Sequence, residues 1–185
     1  YLNDQIGFRE IGVALNNYIG YMFLGTSMVD NVVVGKDGWL FLDTGIDSYR
    51  GLSPASDEDL QTWVRVLEER RDLYADYGSE YMLVIAPDKH TIYPEFLPDS
   101  LTRISETTYL DQLVDYLAEH SDINVLDLRE PLLDAKEDGQ VYYQFDTHWN
   151  LSGAYVAYHE VMDSIQALFP AADLPPVDMI RLGYT

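Results

Sequence analysis

Two side chains with acid–base chemistry stand two positions apart in the stretch YYQFDTHWN, residues 142–150: Asp146 and His148. In an extended or loop segment alternate residues point the same way, so such a pair can address one partner from one side. A carboxylate on one ring nitrogen holds an imidazole in a single tautomer and stabilises its protonated form. The other nitrogen is then free to act as general base on a hydroxyl. That is two thirds of a Ser-His-Asp triad. The spacing fits a structural role at least as well, with Asp146 capping the helix that follows and His148 packed on Trp149.

Other candidates carry less. A metal site built on Asp146 and His148 needs a third and fourth ligand, and the nearest, His159 and Glu160, lie well along the next helix, so no metal is expected. In APDKHTIYPE, residues 86–95, Lys89 and Tyr93 are placed to orient a substrate or support a negative intermediate, and Trp149 joins them as a substrate-contacting candidate. A lysine beside an aspartate in a loop is equally an ordinary solvated charge. His90 and His120 sit in polar surroundings and read as surface residues. The nucleophile is missing. GTS at 25–27 places Ser27 after a helix and before a hairpin rather than in a strand-to-helix turn, so Ser27 reads as part of a helix-terminating loop.

The elements that must position these residues follow from periodicity. Ile6, Ile11, Leu15, Tyr18, Ile19 and Met22 keep helical spacing over 5–24, interrupted by Gly7, Gly12 and Gly20. NVVVGKDGWLFLD, residues 31–43, reads as a β-hairpin in which Asp37-Gly38 supplies positive φ. Ser56 is the expected N-cap of a helix carrying Leu60, Trp63, Val64, Leu67 and Tyr74 on one face and stopping near Gly78. YMLVIAP, 81–87, is an apolar run suited to a strand buried on both faces. A helix on Leu110, Leu113, Val114 and Leu117 precedes a second buried strand, INVLDL at 123–128. VYYQF, 141–145, reads as a third strand. A long helix from Leu151 to Phe169 places Ala154, Ala157, Tyr158, Val161, Met162, Ile165 and Leu168 on one side. Helices alternating with apolar strands predict an α/β fold with a mainly parallel sheet covered on both faces, beyond whose carboxyl edge both APDKH and FDTHWN would lie.

Composition narrows the partners. The chain has 185 residues with 11 Lys and Arg against 32 Asp and Glu, a formal charge of -21, so nucleic acid, anionic lipid surfaces and other anionic polymers are disfavoured as partners. There is no cysteine, which removes disulfides and thiolate chemistry within the chain. One domain is expected, 1–30 helical and 31–170 the α/β core. The chain opens on YLNDQIGFRE without a Met and closes on MIRLGYT, so both ends read as cut from something longer.

Taken in order, FREIG, VVVGKDGWLFL, LVIAPDKHTIYPEFLP and DTHWNLSGA resemble the SGNH-hydrolase-like domain of alginate O-acetyltransferases of the AlgX and AlgJ type, and more loosely the bacterial proteins with a DHHW motif. The resemblance spans nearly the whole chain, with GKDGWLF and DTHW together as its specific markers. It implies an exported, periplasmic or cell-surface enzyme that moves acetyl groups onto an exopolysaccharide through a Ser-His-Asp triad, or an acetylesterase of the same build. Asp146 would orient and His148 would be the base. The serine would follow in a later Gly-x-Ser turn beyond Thr185, leaving this chain inactive alone. No cofactor is implied. The partners implied are a polysaccharide acceptor and an acetyl donor, with a membrane acyltransferase left open as the donor and a membrane anchor left open at a removed N-terminal segment. A non-catalytic binding or scaffold module of a polysaccharide-export assembly is the alternative.

Overall fold

The computed structural model describes residues 31–171. The expected helix over 5–24 and Ser27 lie outside them.

The first two strands, β1 (Val32–Val34) and β2 (Leu40–Leu42), pair antiparallel with Val33 opposite Phe41. The turn between them is a single 3-10 turn at Lys36–Gly38, where Asp37 (φ 53°) and Gly38 (φ 78°) take the left-handed conformation that the Asp-Gly sequence makes accessible. A short helix α1 (Ile46–Tyr49) leads to α2 (Asp57–Ala75). Ser56 caps α2 as expected: its hydroxyl accepts from the Asp59 N–H, and the Asp59 carboxylate accepts from the Ser56 N–H in return. The chain leaves α2 through a turn in which Gly78 adopts φ 71°.

Next come β3 (Met82–Ile85), the one-turn helix α3 (Lys89–Ile92) and a 3-10 turn at Pro94–Phe96. Helix α4 (Tyr109–His120), capped by Thr108, precedes β4 (Asn124–Asp127), which pairs parallel to β3 with Leu83 opposite Val125. Then α5 (Arg129–Asp138) and α6 (Leu151–Leu168) complete the described residues.

Helices cover both faces of the parallel pair, and the pleat explains how. Leu83 and Val125, opposite each other, face the core that α2 and α4 build from Leu60, Leu67, Leu113 and Leu117. Leu126, one residue on, faces the other core, where Leu128 and Leu132 meet Trp39 and Phe41 of the hairpin, Ile92, Tyr93, Val141 and Ala157. The α/β class expected from the sequence is the one observed.

Three expectations are corrected. VYYQF is not a strand: among the described residues its only pairing is an isolated antiparallel bridge between Tyr142 and Trp149. It is one arm of a loop that folds back on itself. Secondly, β3 is not buried on both faces, for Val84 is 38% exposed, since among the described residues β3 has only β4 beside it. Thirdly, Trp63 and Tyr74 lie at the exposed rim of α2 rather than in its core, Trp63 donating its indole N–H to the Tyr109 hydroxyl at 2.9 Å and Tyr74 stacking on Tyr81.

Candidate active site

Residues 141–150 form a closed loop. At its neck the Asn150 N–H donates to the Val141 carbonyl at 2.9 Å, and inside that the Tyr143 N–H donates to the His148 carbonyl at 3.2 Å. Asn150 caps α6 by accepting from the Gly153 N–H at 3.0 Å, while its amide nitrogen donates to the Gln140 carbonyl at 2.6 Å. The cap of α6 is therefore Asn150, not Asp146, and the carboxylate of Asp146 is free for another partner.

That partner is His148. Oδ1 of Asp146 accepts from the His148 N–H at 2.9 Å and lies 2.6 Å from its ring Nδ1. These bonds, the backbone one foremost, hold the Asp146 carboxyl below its ordinary range, so it stays ionised. An ionised carboxylate can only accept, so Nδ1 carries a proton, and in the neutral ring Nε2 presents its lone pair. Among the described residues Nε2 has no hydrogen-bond partner, and the side chain is 80% exposed, which removes the packed-histidine alternative.

His148 borders a cleft of about 340 Å³ whose other walls include Leu42, Pro87, Asp88, His90, Tyr142 and Trp149. Ala86 and Pro87 follow β3 directly, so the cleft stands just past the carboxyl end of a parallel strand, where open α/β sheets collect functional groups. APDKH and FDTHWN meet here as their positions in the sequence suggested. Trp149, partly buried, forms one wall and remains available to a bound group. No serine lines the cleft among the described residues.

Two of the candidate substrate contacts spend their polar atoms on internal partners, although Lys89 borders the cleft. Tyr93 is 4% exposed, its hydroxyl accepting the buried Val141 N–H at 2.9 Å. Lys89 is 3% exposed, with its ammonium turned inward toward backbone carbonyls. His90 is not a surface residue either: it is 2% exposed, its Nε2 donates to the Leu42 carbonyl at 2.7 Å, and burial lowers its pKa. Only His120, exposed and stacked on Tyr116, matches the surface reading. Nothing in the residue pattern singles out Tyr142, a buried wall of the cleft whose hydroxyl donates to the Pro87 carbonyl. Among the described residues no three His, Asp or Glu converge as metal ligands, and no helix is long and apolar enough to cross a membrane.

A parallel strand pair between helix layers, with its cleft at the carboxyl edge, is an α/β domain. The family model for the SGNH hydrolase-like domain of the acetyltransferase AlgX matches residues 32–180, and the chain belongs to that family. The protein named "Probable alginate O-acetylase AlgJ" of Pseudomonas syringae pv. tomato is 31% identical over 175 residues, covering 95% of this chain and 43% of that protein. Its namesake in Pseudomonas fluorescens is 32% identical, covering 89% and 41%. The O-acetyltransferase domain of Pseudomonas putida AlgJ superposes with a TM-score of 0.56 at 25% identity, covering 78% of this chain and 50% of that one. Bacillus cereus PatB1, at 17% identity and a TM-score of 0.58 over 80% of this chain and 46% of its own, shares the fold. The chain thus spans less than half the length of the curated relatives it matches.

Proposed function

We propose that this chain supplies the acid–base half of an acyl-transfer site in a polysaccharide O-acetyltransferase, with the nucleophilic serine on chain beyond Thr185. The observation that carries the reading is the orientation of His148: Nδ1 is held by an ionised Asp146, and Nε2 has no partner among the described residues on a side chain that lines a cleft at the sheet edge. Family membership and the names of the relatives support the same chemistry.

In this reading the serine Oγ–H gives its proton to Nε2 as the oxygen attacks the acetyl carbonyl of the donor. The protonated ring, stabilised by Asp146, passes that proton to the departing donor oxygen, leaving an acetyl-serine. A sugar hydroxyl then loses its proton to Nε2 while attacking the acetyl group, and the proton returns to the serine. Water in place of the sugar would give hydrolysis, so transfer requires that water be kept out. With His148 80% exposed, that exclusion must come from chain outside the described residues or from the acceptor itself. We place the protein outside the cytoplasm, with an acetyl donor presented there. The formal charge of -21 favours an acceptor less anionic than a polyuronate.

The test is acetyl release from p-nitrophenyl acetate, and transfer to oligosaccharides, by the full-length protein. His148→Ala should reduce turnover by roughly 10³-fold or more. Turnover at the wild-type level in that variant would leave the scaffold alternative standing.

A further inference from the structure

The buried ammonium of Lys89 has its three N–H donors matched to three acceptors. Nζ lies 2.8 Å from the Tyr143 carbonyl, 3.0 Å from that of Gln144 and 2.9 Å from that of Asp146. Two aromatic rings flank it, Trp39 at 5.0 Å and Phe41 at 5.1 Å from Nζ to the ring centroids. An ammonium has three protons and no acceptor, so nothing is left to offer a substrate. All three carbonyls belong to one short run, 143–146, within the loop that carries Asp146 and His148.

Without Nζ the carbonyl of Asp146 has no other partner among the described residues, whereas that of Gln144 keeps the Leu40 N–H at 3.0 Å. Fixing the Asp146 carbonyl fixes the peptide on which its Cα–Cβ bond is set, and hence the aim of the carboxylate at Nδ1 of His148. A loop 57 residues downstream is in this way pinned to the helix that follows β3.

We propose that Lys89 is the positioning residue of the Asp146–His148 pair, a buried cation that organises the carbonyls of 143–146 so that the carboxylate meets the imidazole. Its kinetic consequence rests on the reading of His148 as the base; its geometric consequence does not. Burial lowers the Lys89 ammonium to about 8, with the Asp146 carboxylate acting in the opposite direction.

The experiment has a kinetic and a spectroscopic arm on the full-length protein. With p-nitrophenyl acetate, Lys89→Met should lower kcat about 10²-fold and leave KM within about twofold, the size expected when a catalytic group is displaced by roughly 1 Å. The ¹⁵N shifts of the His148 ring, one Nδ1–H tautomer in the wild type, should become those of a tautomer mixture. Lys89→Cys alkylated in denaturant with 2-bromoethylamine and refolded regains an ammonium of nearly the same reach and should recover kcat. The same variant treated with iodoacetamide should not. Wild-type kcat and an unmixed tautomer in folded Lys89→Met overturn the proposal. If His148→Ala keeps full turnover, the base reading fails and the ring spectrum alone decides on Lys89. Should the variants not fold, the wild-type protein decides: through-hydrogen-bond NMR couplings from the Lys89 ammonium nitrogen to the carbonyl carbons of Tyr143, Gln144 and Asp146 are present, or they are absent and the proposal falls.

Discussion

The carbonyl oxygen of Val141 lies 2.2 Å from where a Cβ on Gly153 would stand, and Cβ of Trp149 lies 2.9 Å from the same point. The first turn of α6 is thereby pressed against both ends of the loop that holds Asp146 and His148, at a distance only hydrogen permits. Gly153→Ala brings a gain in helix propensity of up to about 1 kcal/mol. The obstructing atom is backbone, however, and cannot swing aside, so overpacking at about 1–3 kcal/mol should prevail. Urea unfolding of the variant should show lower stability with an unchanged slope. Equal or higher stability would mean that the contact is looser than described.

Tyr93 separates a structural role from a substrate role. Its hydroxyl is the acceptor for the buried Val141 N–H, and burial raises its pKa, so it stays protonated at working pH. Tyr93→Phe removes the acceptor and leaves a buried donor unsatisfied, at a cost of about 1–3 kcal/mol in thermal or urea unfolding. In the folded full-length variant KM for acceptor and ester should not move. A raised KM with unchanged stability would return Tyr93 to the substrate.

Local pattern carried most of what the sequence revealed. Asp146 and His148 were legible because both partners lie within three residues, and Ser56, Asp37 and Gly38 because caps and turns are set by neighbours. Lys89 was not legible, since its acceptors are main-chain carbonyls of a loop distant in sequence, and no residue type records which way a carbonyl points. His90 looked polar among Asp88, Lys89 and Thr91, yet the chain turns its ring inward onto the Leu42 carbonyl and the face of Phe41. VYYQF has the composition of a strand, but the hydrogen bonds it finds lie mostly within its own loop, with Lys89 and with the Leu40 N–H. A β-prone sequence pairs only if an edge is offered to it.

Asp146→Asn tests how the base is prepared. The amide can still accept from the His148 N–H through its oxygen, so the loop should keep its shape. An amide turned to present its NH₂ instead would donate to Nδ1 and move the ring proton to Nε2, where it blocks proton acceptance. The expected result is a fall in kcat of roughly 10²–10⁴-fold in the full-length protein. With Asp146 57% exposed, the unfolding midpoint should hardly change. Loss of activity matched by a loss of folded protein would instead make the pair a structural clasp.

Lys89 should make activity and stability respond oppositely to alkali. Its ammonium titrates at about 8 when folded against an ordinary 10.5, chiefly through burial. Between those values the unfolded chain binds the extra proton, so the contribution of Lys89 to folding stability rises with pH across that window. Locally the change is adverse: a neutral amine has two N–H groups and a lone pair facing three carbonyls, so one contact turns from attraction to repulsion. Tyr93 and Tyr142 have raised pKa values and His90 a lowered one, so none of these neighbours takes up the titration. Turnover should therefore fall with a midpoint near 8 while the wild-type protein gains unfolding free energy relative to Lys89→Met from pH 7 to 9.5. Comparing the two proteins by urea unfolding at both pH values cancels the other titrating groups. A parallel decline of activity and relative stability would show that Lys89 supports the fold as a whole rather than the aim of Asp146.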